Sequence, residues 1–402
     1  MMPDGLSSPA RRRWLFALLY VSEGAPVGYL WTALPTRLRL EGVPVVEVAA
    51  LASLLTIPWS IKFLWAPLID GLRSERYGLR PWILGAQFAM GLTLLPLVAP
   101  GFDVAWLVPI LLVHAFCAAT QDVAIDALAV KSLGPDERGR ATGWMQMGMV
   151  VGKAAFGGAA VAIESRVGSQ PVIAALIATT WVSGVFVAGA HDTALASAAR
   201  SHLEALRGVG ARLRHVLSRR VTWLGMGFAA SAGMAMEALG GLAGPMLVDQ
   251  GVSSDRIGAF FVVIPIAGLG GGALLGGWLA DRLPRHRAVA TASIAVAASC
   301  GLVAAALGHT AEWPLLAALG VAWGAFGLLT SCLYAQLMDL VDPALGGTQF
   351  SAYMGGINFC YVWSVALAGA MIEPLGYATT LMLFGVISLV PLLALRALTT
   401  GR

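Results

Sequence analysis

Apolar windows recur along the chain, each near the roughly 20 residues an α-helix needs to cross a bilayer and each closed by a charged or Gly/Pro-rich break. They fall near 14–34, 47–66, 82–100, 106–129, 142–163, 172–190, 221–245, 256–279, 288–308, 314–338, 350–371 and 377–396, which predicts an all-α membrane protein of twelve spans. Arg11-Arg12-Arg13 followed by an apolar run from Trp14 is similar to the start of a signal peptide. The run continues to about Leu34 without a small-residue cleavage site, so it is expected to stay as the first transmembrane helix. The longest break runs from His191 to Arg220, holds six arginines, and carries Leu203, Leu206, Leu213, Val216 and Leu217 at near-helical spacing. It is expected to lie as a cytoplasmic linker (191–220) on the anionic leaflet, between a six-helix bundle at 1–190 and another at 221–402.

Composition narrows the class. Charged residues make up 12% of the 402, against about 25% in soluble domains. With 58% hydrophobic residues and a mean hydropathy of +0.77, a soluble enzyme or nucleic-acid binder is excluded. With the amino terminus inside, twenty basic residues fall on the cytoplasmic side and four, Arg37, Arg39, Arg166 and Arg256, outside. That asymmetry orients both termini to the cytoplasm. Cys117, Cys300, Cys332 and Cys360 all lie in apolar runs, so neither a disulfide framework nor a metal site is expected. No cofactor is expected either: there is no GxxxxGK[ST] loop for an ATP-driven pump. A membrane-embedded enzyme is the competing class, but neither GxGD nor HExxH occurs. A transporter-like sensor is the third reading.

The two halves share landmarks. Pro35 and Pro245 each end a span ahead of a Gly-Val pair, Gly42-Val43 and Gly251-Val252, and Ile57-Pro58 is echoed by Ile264-Pro265. PLIDGLRSERYGLRP (67–81) and GGWLADRLPRHR (276–287) each make an acidic-then-basic turn. Asp70 with Arg73 and Arg80, and Asp281 with Arg282, are the candidate latches of those turns, by pairing or by capping a helix end.

This layout resembles the major facilitator superfamily, whose fold is two pseudo-symmetric six-helix bundles. A narrower resemblance rests on SEGAPVGYLWTALP (22–35), PWSIKFLWAPLID (58–70), RPWILGAQ (80–87), ATQDVAIDALAV (119–130) and PDERGRATGW (135–144). These are similar to the AmpG-type permeases, inner-membrane importers of muropeptides, and to the RhtX/FptX siderophore permeases. AmpG-type chains usually have two more spans and continue the fourth-helix motif with Tyr-Arg, where Leu128-Ala129 stands here. The resemblance implies an inner-membrane, monomeric importer whose partners are a small-molecule substrate, protons and membrane lipid.

Ionisable groups inside hydrocarbon are costly unless paired or hydrated, so each one is a candidate. Glu23 lies about 14 Å into the first helix, near the midplane, and Glu237 is similarly deep in the seventh. In the superfamily both helices line the substrate path; the plainer role is to accept hydrogen bonds in packing. Asp122 and Asp126 share a face of the fourth helix, beside Gln121, and repel unless a cation or proton intervenes. Asp122 suits proton transfer, while Asp126 is placed to pair with Arg138 or Arg140 at the cytoplasmic mouth. Lys153 is expected to neutralise Asp122 or Glu23, or to bind a substrate carboxylate; Lys62 is expected to snorkel toward the surface. Four carboxylates against two lysines leave −2, so at least one carboxyl is expected to hold a proton in some state, as a proton-coupled carrier needs. Tyr29, Gln121, Gln146, Asn358 and Trp363 are candidate cavity residues, drawn from a set that includes Tyr20 and Gln87. Gly148 with Gly152, and Gly268, Gly272 and Gly276, recur every four residues and predict close helix approach.

Overall fold

The first helix starts where Ser8, in extended backbone, accepts a hydrogen bond from the Arg11 amide (3.3 Å), with Pro9 at the first helical position, where its missing N–H costs nothing. α1 (Pro9–Gly28) passes through a π-helical turn at Tyr29–Ala33 into α2 (Leu34–Leu40). The turn opens three residues after Pro26, whose ring removes one helical hydrogen bond and crowds the preceding turn. This computed structural model describes residues 8–71, 78–99, 101–132, 135–189, 210, 214–215, 217–341, 346–393 and 395. For residues 9, 67, 70, 71, 104, 130–132, 135–143, 189 and 346–348 it describes the backbone alone.

The chain continues as α3 (Val45–Ile61), a 3₁₀ turn at Lys62–Leu64, α4 (Ala66–Gly71), α5 (Arg80–Val98), α6 (Leu107–Ser132) and α7 (Pro135–Lys153). A second π-helical turn at Ala154–Ala159 leads into α8 (Ala160–Val167), followed by α9 (Ser169–Gly189). Then come α10 (Arg220–Ala232), α11 (Met234–Asp249), α12 (Ser254–Ile264), a third π-helical turn at Pro265–Leu269, α13 (Gly270–Arg282), α14 (Arg285–Ala306), α15 (Trp313–Asp339) and α16 (Gly346–Ile387). α16 is two helices in one run, because Gly376 at φ +74° turns the chain in the left-handed region.

Joined across their internal turns, these segments make the twelve rods that the hydropathy pattern predicts. Nine stretches among the described residues are long and apolar enough to cross a membrane by that measure alone. The shortfall has local causes. The first rod is diluted by Ser22, Glu23, Pro26 and two tyrosines, the seventh is broken at Gly233 into pieces of 13 and 16 residues, and the last two run together through Gly376.

The chain packs as two compact units, Met1–Ala33 with Ile61–Ala211, and Leu34–Ser60 with Arg212–Arg402. The segment 34–60 is held in the second unit by specific contacts. Asn358 donates to the Trp59 carbonyl (3.3 Å), and Arg39 donates to Asp249 (2.5 Å). Most of the predicted linker 191–220 lies outside the described residues.

In the first unit α1 and α7 meet through glycine: a Cβ on Gly28 would stand 2.7 Å from the Lys153 carbonyl oxygen, and one on Gly152 2.7 Å from the Ala25 nitrogen. In the second, a Cβ on Gly276 would stand 2.5 Å from the Leu328 carbonyl oxygen. The glycine stripes expected from the sequence thus face α1 and α15 respectively, with backbone where a side chain would go. Gly152→Val is therefore expected to cost about 1–3 kcal/mol by overpacking a rigid contact. Thermal denaturation of the purified protein in detergent, followed by tryptophan fluorescence, measures it; an unchanged midpoint contradicts the close approach.

Candidate functional site

In the first unit, three helical segments bring one layer of charge together. Tyr20 and Glu23 are three apart on α1, Asp122 and Asp126 four apart on α6, and each pair therefore shares a face. Lys62 opens the 3₁₀ turn that ends α3, four residues after Pro58. That tightening rotates its side chain onto α6, where the ammonium pairs with the Asp122 carboxylate, the two side chains only 12% and 7% exposed. Lys62 thus does not snorkel to the surface as the sequence suggested, because an unpaired carboxylate is within reach inside.

Tyr20 donates its hydroxyl to Asp126 Oδ1 at 2.5 Å. Asp126 itself retains exposure, so the layer reaches the surface at that residue. Glu23 is 6% exposed, its carboxyl set against that of Asp122 and within the fields of Asp126 and Lys62. Beside it, Ser22 accepts from the amides of Gln87 (3.3 Å) and Gln121 (3.4 Å), and Gln87 also donates to Ser183 (2.8 Å). This ties α1, α5, α6 and α9 together.

Among the described residues the layer is poor in donors. One Glu23 oxygen and the amide oxygens of Gln87 and Gln121 are buried without a hydrogen-bond partner among the described residues. Buried acceptors left open are uncommon and mark places where water, a proton or a ligand is held.

The other candidates lie apart from this layer. Lys153, expected to neutralise Asp122 or Glu23, is exposed, with its ammonium 5.5 Å from the centre of the Trp31 ring; Lys62 takes the place beside Asp122. Tyr29 is buried in the first π-helical turn, and Gln146 is exposed on α7. Asp126 meets Tyr20; the side chains of Arg138 and Arg140 lie outside the described residues.

In the second unit Glu237 sits in the first turn of α11, just past the break at Gly233, half-buried beside Cys360 and Tyr361 of α16. Trp363 donates to the Ala230 carbonyl (2.7 Å) and stacks on Phe384, while Asn358 holds Trp59 as described.

Of the latch candidates, Arg73 and the Asp70 side chain lie outside the described residues, and Arg80 begins α5. Asp281 is 82% exposed, Arg282 lies 4.6 Å over the Trp278 ring, and Arg285 binds Asp339 at 2.9 Å while standing 3.9 Å from Asp281. A further cluster escaped the sequence reading. Asp249 at the end of α11 accepts from Arg39 (2.5 Å) and from Tyr377 (2.8 Å), and its carboxylate raises the Arg39 guanidinium above its usual range. Three loop-end residues this far apart in sequence carry no local signal.

A chain of twelve membrane helices with a charged layer buried in its first unit has the architecture of a membrane carrier. The family model described as Major Facilitator Superfamily matches residues 16–271 and 226–401, and the chain belongs to that superfamily. It is 26% identical over 402 aligned positions to the anhydromuropeptide permease of Escherichia coli K12, covering 94% of this chain and 78% of that protein. In structure it is similar to a D-xylose-proton symporter, with a TM-score of 0.76 at 11% identity over 97% of this chain and 98% of the other. It is also similar to the nucleoside transporter NupG, with a TM-score of 0.69 at 15% identity over 96% and 99%. The fold is accordingly the twelve-helix major facilitator fold, and the relatives are transporters, not enzymes.

Proposed function

We propose that this protein is a secondary transporter of the inner membrane that imports a muropeptide-like solute together with protons by alternating access. The observation that carries the coupling is the layer in which, among the described residues, three carboxyls, Glu23, Asp122 and Asp126, surround one ammonium, Lys62. Fully ionised, those described groups bear −2; each proton they bind moves them toward neutrality, and a low-dielectric site favours states near neutrality. The layer is therefore a proton store whose filling is tied to whatever else occupies the site. The muropeptide reading is supported by the permease relative and by the sequence motifs on α1, α3 and α6.

The six-helix bundles 1–190 and 221–402 are the moving bodies of this reading, with both termini cytoplasmic by the basic-residue asymmetry. Lys153, Tyr29, Gln121 and Gln146 in the first unit, and Glu237, Asn358 and Trp363 in the second, are the residues of this reading to be tested for solute contact. Asp70, Arg73, Arg80, Asp281 and Arg282 latch the cytoplasmic turns, joined in the second by the Arg285–Asp339 pair.

The test is uptake of a labelled anhydromuropeptide into proteoliposomes with and without an imposed pH gradient, with a ferric siderophore as the competing probe. Accumulation that rises with an inward proton gradient is the expected result. Accumulation of the siderophore alone replaces the substrate, and binding without flux replaces the transporter reading with that of a sensor.

A further inference from the structure

A groove of about 600 Å³ lies between α5 and α6 of the first unit, within the range of about 300–1,000 Å³ typical of small-ligand sites. Pro81, Gly85 and Ala89 belong to its α5 wall, Val113, Phe116 and Thr120 to its α6 wall. The lining is apolar or aromatic but for Cys117 and Thr120, and Thr120 spends its hydroxyl on the Phe116 carbonyl (2.8 Å). Gly85 gives the groove its depth: it is exposed, and a Cβ added there would meet nothing within 4 Å beyond its own helical turn. Both walls belong to stretches that cross a membrane by length and hydropathy, Arg80–Val98 and Leu107–Ala129. Pro81 stands at the start of the first, and Val113 is sixteen residues before the end of the second, about 24 Å of rise, whereas the midplane of the hydrocarbon core is about 15 Å deep. The groove therefore runs obliquely from the leaflet where α5 begins to beyond the midplane. It opens outward there, with Val113 53% and Phe116 40% exposed. At its shallow end stands the N-terminus of the 19-residue α5, capped by no side chain and with Arg80 as its first residue. The helix dipole and the guanidinium place positive charge at the depth of the lipid headgroups.

We propose that this groove holds one acyl chain of an anionic phospholipid from the leaflet where α5 begins, with the headgroup phosphate at Arg80 and the first turn of α5. An apolar groove at this depth is reached from hydrocarbon, and the hydrocarbon there consists of acyl chains. A chain gains no hydrophobic energy by leaving the bilayer for the groove. Retention therefore comes from close packing against the bare backbone at Gly85 and from the charge at the mouth. That charge selects the headgroup: one basic residue near the membrane surface favours an anionic lipid by about fivefold. Thr120 is two residues before Asp122, about 200° round the helix, so the chain lies against α6 on the side away from the charged layer. A bound lipid thus backs the helix that carries Asp122 and Asp126 without touching either.

The test is photolabelling in proteoliposomes that carry, in both leaflets, either a phosphatidylglycerol or a phosphatidylcholine with a diazirine on one acyl chain, the labelled peptides being located by mass spectrometry. It needs neither solute nor proton gradient, so its failure is distinct from failure of the transporter reading. With the phosphatidylglycerol probe, peptides holding 81–89 and 113–120 are expected to take about fivefold more label than the exposed face of α14 at Ile294 and Leu302, and about fivefold more than with the phosphatidylcholine probe. Gly85→Leu fills the groove with a better helix former and should remove most of that excess, while the label on α14 stays as it was. Arg80→Gln should keep the label in the groove but bring the two headgroups to within about twofold. Label in the groove no higher than on α14, or equal for both headgroups in the wild type, overturns the proposal, as does an excess that survives Gly85→Leu. A headgroup preference that survives Arg80→Gln overturns the placing of the phosphate. Should Gly85→Leu fail to elute as a single species, the two wild-type comparisons decide.

Discussion

Glu23→Gln should abolish accumulation of substrate against its gradient while counterflow exchange across the same membrane remains measurable. Glutamine keeps the shape and a hydrogen-bonding end but removes the site for a proton. One coupled proton and a one-unit pH gradient set a ceiling of about tenfold accumulation, since one pH unit is worth 1.36 kcal/mol. The variant should fall to about onefold, the value of passive equilibration. Glu23 is the choice because its carboxyl sits against Asp122, is 6% exposed, and has one oxygen with no partner among the described residues, so a proton bound there has a place and a function. A residue serving only to hold helices together would lose stability on substitution and leave the accumulation ratio of the surviving protein intact. Undiminished accumulation in Glu23→Gln removes this carboxyl from the coupling step. Counterflow matters as the second readout because it needs the carrier to cross loaded in both directions, with no net proton movement.

The twelve spans could be read from the chain because hydropathy acts over a window, and no tertiary contact is needed to keep about 20 apolar residues in hydrocarbon. The shared faces of Tyr20 with Glu23 and of Asp122 with Asp126 were legible for a similar reason, since helical rise and period are local properties. Which cation meets those acids was not. Lys153 and Lys62 both lie within spans, and their assignment depended on how α3 ends. A 3₁₀ turn at Lys62–Leu64 swings Lys62 inward, while the π-helical turn after Lys153 follows a residue already facing outward over Trp31. Pro58 was the available hint, because a proline inside a helix announces irregular geometry around it. The Arg39–Asp249–Tyr377 cluster was out of reach in a different way. Its members come from three loop ends, and Tyr377 is presented by the left-handed turn at Gly376. Nothing in the spacing of these residues foretells that they meet.

Lys62→Met should be the most destabilising single substitution in the layer, by about 3–5 kcal/mol, and adding Asp122→Asn should restore most of the loss. With side chains 12% and 7% exposed, the pair is screened little by water, so removing only the cation leaves a carboxylate buried among two other acids. Removing both partners trades the ion pair for a methionine and an amide of similar volume, a change that costs little and in some proteins is neutral. The expected pattern is therefore non-additive, the double variant more stable than Lys62→Met alone, measured by thermal denaturation in detergent. A lysine that merely snorkelled to the surface would behave otherwise, with Lys62→Met costing within about 0.5 kcal/mol, as surface substitutions do, and no rescue by the second change. The same two variants therefore separate a buried counter-ion from a surface charge by stability alone, whatever the substrate. Lowering the pH should also soften the single variant, because each carboxyl that takes up a proton removes part of the repulsion that Lys62 no longer offsets. The destabilisation of Lys62→Met relative to wild type should shrink from pH 8 toward about pH 5, and a loss that stays constant across that range contradicts relief by protonation of the layer.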